Sequence, residues 1–92
     1  GTYLIWYPIV NKTRAEQFCK RMSKLPVKSL LQAELYEREP TGDLGGMAGT
    51  GMLIINGPWN LQAQLAESLP YLQEKLFPET GRFALNWLVE AP

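Results

Sequence analysis

The chain has 92 residues, 46% of them apolar, with seven prolines, eight glycines and a formal net charge of zero. Such a length and composition bound the fold to one compact domain spanning residues 1–92, or to a piece of a larger one, and the charge balance gives no overall pull toward nucleic acid or membrane. One cysteine, Cys19, and no histidine exclude an internal disulfide, a zinc site and a Cys/His or Ser/His catalytic pair built from this chain alone.

The opening stretch, Thr2 to Val10, is aromatic and β-branched without helical period, so it reads as a buried strand stopped by Pro8. Thr13-Arg-Ala-Glu16 has the form of a capping box and predicts a helix start there. Ala15, Phe18, Cys19 and Met22 then make one apolar stripe, and Pro26 ends the helix. Val27 to Tyr36 reads as a second strand, with Leu31, Ala33 and Leu35 on one face and Gln32, Glu34 and Tyr36 on the other. The following EREPTGDLGGMAGTG holds five glycines and reads as a long, mobile loop, before a short apolar strand from Met52 to Asn56. Asn60 is the expected cap of a second helix carrying Leu61, Leu65, Leu69, Leu72 and Leu76, which Pro70 should kink or split near Ser68. Phe83, Leu85, Trp87 and Val89 alternate with their neighbours as a fourth strand.

The expected class is therefore α/β with element order β-α-β-β-α-β. Strands joined through a helix run parallel within a sheet, and strands joined by a loop usually pair antiparallel. Strands one and two should point one way, and three and four the other. Asn56-Gly57-Pro58-Trp59 then leaves its strand at the edge opposite Trp6-Tyr7-Pro8, while the glycine-rich loop shares the Trp6-Tyr7-Pro8 edge. Left to itself, such a chain forms a ferredoxin-like split sheet of order 4-1-3-2.

Charge is uneven along the chain. Residues 1–38 carry seven Lys/Arg against Glu16, Glu34 and Glu37, and the remainder carries Lys75 and Arg82 against six acidic residues. The cations of the first helix fit a solvated face, and Cys19 on the apolar stripe fits a buried, inert thiol. Gly46-Met-Ala-Gly49-Thr-Gly51 is reversed relative to a dinucleotide fingerprint and leads into a strand, where an anion cradle needs a helix N-terminus. Glu34, Glu37 and Glu39 lie along a strand end and its loop, so no carboxylate pair is set up for acid/base work. Trp6 and Tyr7 at a strand tip fit either stacking on a base or packing in the core. No apolar run approaches the roughly 20 residues that span a bilayer, and no signal peptide is recognisable. The expectation is a cytoplasmic protein with no metal and no membrane partner. The start on a β-rich run without an initiator Met suggests a chain cut from a longer polypeptide.

GTYLIWYPIV, GMAGTGMLIINGPW, the leucine-bearing helix and the closing LNWLV together resemble, over essentially all 92 residues, the C-terminal part of the bacterial 23S rRNA adenine methyltransferase J family. The resemblance implies the C-terminal half of a Rossmann-like class I methyltransferase sheet. It implies an enzyme that methylates the exocyclic amine of adenine in 23S rRNA, with S-adenosylmethionine bound by the upstream part. The family's catalytic Asp-Pro-Pro-Tyr and its cofactor motifs lie upstream and are absent here, so this chain alone is expected to be inactive and to hold no catalytic or cofactor-binding residue. The family usually has Asn-Pro-Pro-Trp where this chain has Asn56-Gly57-Pro58-Trp59, and the antiparallel strand makes that stretch a strand-to-helix turn. Trp6, Tyr7 and Pro8 would border the adenine pocket, and Met47, Gly49 and Thr50, within the 40–51 loop, would approach the flipped base or flanking RNA. The fourth strand cannot then lie beside strand one, and a place outside strand two is open to it. The competing reading is an autonomous ferredoxin-like module that binds RNA or protein. An RNA-binding sheet needs exposed aromatics on its third strand, and MLII offers none.

Overall fold

The computed structural model describes residues 1–39 and 46–90. Six elements follow in the expected order: β1 (Tyr3–Ile9), α1 (Lys12–Met22), β2 (Leu30–Tyr36), β3 (Gly49–Ile55), α2 (Leu61–Leu76) and β4 (Arg82–Val89). They form an α/β unit around one four-stranded sheet of order β1-β3-β2-β4, in which every adjacent pair is antiparallel. With β1 and β2 both antiparallel to β3, those two strands run parallel to each other, and β4 runs with β3.

The ferredoxin-like alternative fails at the last strand. That arrangement sets β4 beside β1, whereas here β4 pairs with β2, with Arg82 opposite Tyr36 and Trp87 opposite Leu31. The start of β4 is tied to the end of β2 by several contacts. The Thr80 hydroxyl donates to the Glu37 carbonyl at 2.6 Å, the Arg82 guanidinium lies 4.8 Å from the centre of the Tyr36 ring, and Arg82 pairs with Glu39. Helix α2 packs on both β4 and β2.

Several boundaries differ from the sequence expectation, each for a local reason. Helix α1 starts at Lys12 because Asn11, a stronger cap than Thr, sits before it and its Oδ1 accepts the Arg14 N–H at 3.1 Å. Thr13 is therefore inside the first turn. The helix ends at Met22 with Ser23 as C-cap, before Pro26 is reached. Asn60 has helical backbone angles and makes no side-chain cap bond. Helix α2 runs unbroken through Pro70, which removes one hydrogen bond while packing of Leu69 in the core holds the helix on the sheet. Pro8 lies inside β1, where it is tolerated because β1 is an edge strand of this sheet. The second strand starts at Leu30, and β3 begins at Gly49, so part of the expected glycine loop is strand. Residues 40–45 of that loop lie outside the described residues.

The two sheet faces are covered unequally. On the α1 side, Tyr7, Ile9, Leu30, Tyr36, Leu53 and Ile55 pack with Ala15 and Cys19 into the main core, and Phe18 and Met22 close its edge. On the other side α2 lies over β2 and β4. Leu4 and Trp6 on β1 stay largely exposed. Each buried apolar side chain of the main core contributes about 1.5–3 kcal/mol relative to exposure. Gln32, Glu34 and Tyr36 thus face helix α1.

Candidate functional site: the carboxyl ends of the parallel strands

Strand alternation decides which face each site candidate takes. On β1, Tyr7 points to the α1 side, while Trp6 and Pro8 point to the α2 side. On β3, Thr50 and Met52 take the α2 side and Gly51 the α1 side. The pairing register sets Trp6 opposite Met52, Tyr7 opposite Gly51 and Pro8 opposite Thr50. One diagonal contact fixes the exposed side of this region: the Trp6 indole N–H donates to the Thr50 hydroxyl. Trp6 is 56% exposed, so its ring forms an open aromatic surface held at its polar end.

Two grooves flank that indole. One, of about 420 Å³, lies at the β1 edge between Pro8, Val10, Arg14 and Phe18. The other, of about 430 Å³, is apolar and runs between Thr50, Met52 and Ile54 of β3 and Leu65 and Leu69 of α2. Trp6 lines both. Met47, just before β3, is also largely exposed. Its neighbour Ala48 is buried, and the Ala48 N–H donates to the Ile9 carbonyl at 2.7 Å, which ties the residues before β3 to the end of β1.

The other two candidates are held inside. Tyr7 is 5% exposed, and its hydroxyl donates to Glu34 Oε2 at 2.6 Å. Gly49 backs onto β2, where an added Cβ would come within 2.6 Å of the Leu35 carbonyl. Of the six residues singled out from sequence, the structure groups Trp6, Pro8 and Thr50 on one open face. Tyr7 lies beneath it on the opposite face, and Met47 and Gly49 lie at the start of β3.

A buried cluster missed by sequence reasoning lies directly behind this face. Tyr7, Gly51 and Glu34 form one row across β1, β3 and β2. Adjacent strands are about 4.8 Å apart, so Tyr7 and Glu34 stand roughly 9–10 Å apart at the backbone. They meet because Gly51 between them has no side chain: a Cβ there would lie 2.1 Å from the Tyr7 Cζ. The second carboxyl oxygen of Glu34 accepts the Tyr36 hydroxyl at 2.8 Å. Glu34 is 8% exposed, and no buried side-chain polar atom among the described residues lacks a partner. Burial, then hydrogen bonding to Cys19 and Glu34, holds the Tyr7 hydroxyl well above the usual tyrosine pKa. Tyr36 is raised for the same leading reason, with the Glu34 contact adding and Arg82 opposing. The alternation Gln32, Glu34, Tyr36 opposite the aromatic Tyr7 and a strand glycine was the available signal.

The opposite edge of the sheet answers what Asn56-Gly57-Pro58-Trp59 does. Asn56 adopts a positive φ of 54°, a conformation Asn tolerates better than most residues. Its Oδ1 accepts the backbone N–H groups of Lys28 and Ser29 at 3.0 and 3.2 Å. Its own N–H donates to the Ser29 carbonyl, and its carbonyl accepts the Thr2 hydroxyl. The side-chain oxygen that would hold an amine in a catalytic motif is committed to the backbone before β2. Trp59 is 91% exposed, so it covers nothing within the described chain.

Among the described residues no helix is long and apolar enough to cross a membrane. Comparison with known proteins adds what the geometry alone does not. The chain is 40% identical over 89 residues to the ribosomal RNA large subunit methyltransferase J of Haemophilus influenzae, covering 96% of this chain and 31% of that protein. It is 36% identical over 90 residues to the protein of the same name from Escherichia coli, covering 97% of this chain and 32% of the other. A crystal structure of protein LPL1258 from Legionella pneumophila superposes with a TM-score of 0.80 at 30% identity, over 94% of this chain and 31% of that one. The chain thus spans about a third of the length of these relatives. Residues 1–89 match the model of one protein family, and the chain belongs to that family, described as ribosomal RNA large subunit methyltransferase D, RlmJ.

Proposed function

We propose that the chain is the C-terminal portion of a cytoplasmic, S-adenosylmethionine-dependent methyltransferase that modifies the exocyclic amine of an adenine in 23S rRNA. In this reading it supplies the end of a Rossmann-like sheet and part of the substrate rim, and it holds no catalytic group. One observation carries the reading within the family: an antiparallel β3 inserted between parallel β1 and β2 leaves β1 as an open edge. A strand bearing the family's Asp-Pro-Pro-Tyr can add there beside Trp6, up to Pro8, which lacks the N–H to continue the pairing. Ligands of such sheets collect at the carboxyl ends of the parallel strands, where Trp6 and Thr50 meet.

The roles divide by exposure. Trp6 offers a stacking surface to the target adenine or a flanking base, a contact of the kind that contributes about 1–3 kcal/mol per base. Pro8 shapes the rim, Met47 and Thr50 border it, and Tyr7 and Gly49 support it from inside. The glycines among the described residues do not fit a cofactor cradle. Gly49 and Gly51 lie in an antiparallel strand and do not open a helix, the setting an anion cradle of that kind needs, so S-adenosylmethionine is assigned to the upstream part and no step is drawn through it here.

The reading is tested by the gene upstream of Gly1 and by the intact mass of the native protein. A continuous frame carrying Asp-Pro-Pro-Tyr is expected, with transfer of methyl groups by the full-length protein to 23S rRNA prepared without the modification. Trp6→Ala in that protein should raise KM for RNA about tenfold, corresponding to loss of one stacked base. A start codon beside Gly1, or a full-length protein that leaves the rRNA unmethylated, would remove the reading.

A further inference from the structure

We infer that Glu34 is a positioning residue for the substrate rim, acting from the buried face of the sheet through Tyr7 and Gly51 on the exposed pair Trp6 and Thr50. The inference rests on the function proposed above and adds to it a residue two strands away from the aromatic surface.

The geometry runs through the backbone. Trp6 and Tyr7 are consecutive on β1, and Thr50 and Gly51 are consecutive on β3. In each pair one residue faces α1 and the next faces α2. The Tyr7 hydroxyl reaches across Gly51 to Glu34, and on the reverse face the Trp6 indole N–H bonds to Thr50. The same two backbone segments are therefore held from both sides. Glu34 joins them to β2, and Tyr36 fills its second oxygen, which leaves the carboxyl one position to occupy. Both oxygens accept, one from each tyrosine hydroxyl. Removing Glu34 frees the Tyr7 ring to turn, and the segment carrying Trp6 loses its tie to β2.

A buried polar cluster of this kind is not the cheapest way to stabilise a sheet. Apolar residues of similar shape at all three positions can be neutral or stabilising, because each buried polar group must be desolvated before its partner compensates it. What the cluster provides and an apolar replacement does not is a directional constraint, set by hydrogen-bond geometry, on the strand that bears the stacking surface. A contact misplaced by about 1 Å can lower an enzyme's efficiency about a hundredfold, so such a constraint is worth having at a rim.

The test uses the full-length protein and separates positioning from folding. The triple variant Tyr7→Phe/Glu34→Leu/Tyr36→Phe keeps the packing and deletes the hydrogen bonds. It is expected to unfold at or near the wild-type temperature, yet to show a KM for 23S rRNA raised about tenfold and a smaller loss in kcat. Glu34→Gln can still accept from one tyrosine and donate to the other, and it should recover most of the KM. If the triple variant fails to fold, Tyr7→Phe alone carries the same readout with a smaller shift. A folded variant with unchanged KM overturns the inference while leaving the methyltransferase reading intact. An inactive wild-type protein overturns both.

Discussion

Tyr7 and Glu34 stand on strands that do not touch, yet their side chains share a 2.6 Å hydrogen bond across the glycine of the strand between them. The contact makes the identity of residue 51 a consequence of residues 7 and 34. Glycine is usually unfavourable inside a strand, where it costs about 0.5–1 kcal/mol relative to Ala. Here that cost is offset by a bond no other residue would permit.

Gly51→Ala should accordingly destabilise the protein by at least about 2 kcal/mol, since the added methyl meets the Tyr7 ring at 2.1 Å. The check is the urea midpoint of the purified protein. Adding Tyr7→Ala to Gly51→Ala should cost less than the sum of the two single changes, because the clash disappears with the ring. Strict additivity would contradict the proposed packing.

Alkaline pH should weaken the fold through Tyr7 and Tyr36, whose hydroxyls both hold their protons above the ordinary value of 10.0. Unfolded tyrosines begin to ionise near that pH while the folded pair does not, so the unfolded state binds fewer protons there and is favoured. The stability these groups contribute is complete below about pH 10 and is lost as pH rises further, by up to about 1.4 kcal/mol per pH unit for each. Denaturant titrations from pH 8 to pH 11 (about the span needed) should show the decline, and Tyr7→Phe should make it shallower.

At the other edge, Asn56→Ala should cost about 2–3 kcal/mol. It deletes the acceptor for the Lys28 and Ser29 N–H groups and leaves a Cβ at a φ of 54° without the polar side chain that lets Asn tolerate it. Asn56→Gly loses the same bonds without the backbone strain, so its thermal midpoint should fall between wild type and Asn56→Ala. Equal midpoints for the two variants would mean the positive φ contributes nothing.

Trp59→Ser, by contrast, should leave the stability of this 92-residue chain within about 0.5 kcal/mol, because the ring is 91% exposed. Calorimetry of the isolated chain reads this directly. A larger loss would mean that the indole packs on something in solution.

Much of the architecture was legible in the sequence because hydrophobic period and connection type carry it. The order of the six elements and the directions of the strands followed from those two signals, and the exit of Asn56 at the edge opposite Trp6 followed from them in turn. What misled were residues whose meaning depends on a partner far along the chain. Gly49 and Gly51 read as loop punctuation, since the sequence does not display the Tyr7 ring and the β2 backbone that require them. Gln32, Glu34 and Tyr36 read only as the face opposite Leu31, Ala33 and Leu35, because alternation separates two faces and does not say which helix lies above either. Thr13 and Glu16 matched a capping box, but Asn11 was nearer the turn and took the role. Pro8 read as a strand stop, whereas an edge strand can carry it. Trp6 and Thr50 were each singled out in the sequence; that one would bond the other emerged only from the structure.

The insertion of β3 between β1 and β2 has a consequence for how the chain reaches this state. Tyr3 pairs with Ile55 and Leu30 pairs with the same residue from the other side, so the first and second strands have no hydrogen-bonding partner in each other. A ribosome that has released only the first half of this segment has delivered two strands that cannot zip. Pairing of these strands with one another begins when the third strand arrives, and the β1–β3 pairing, with its long sequence separation, closes slowly. Glu34 meets Tyr7 only across β3, so the burial of its carboxyl waits on that strand.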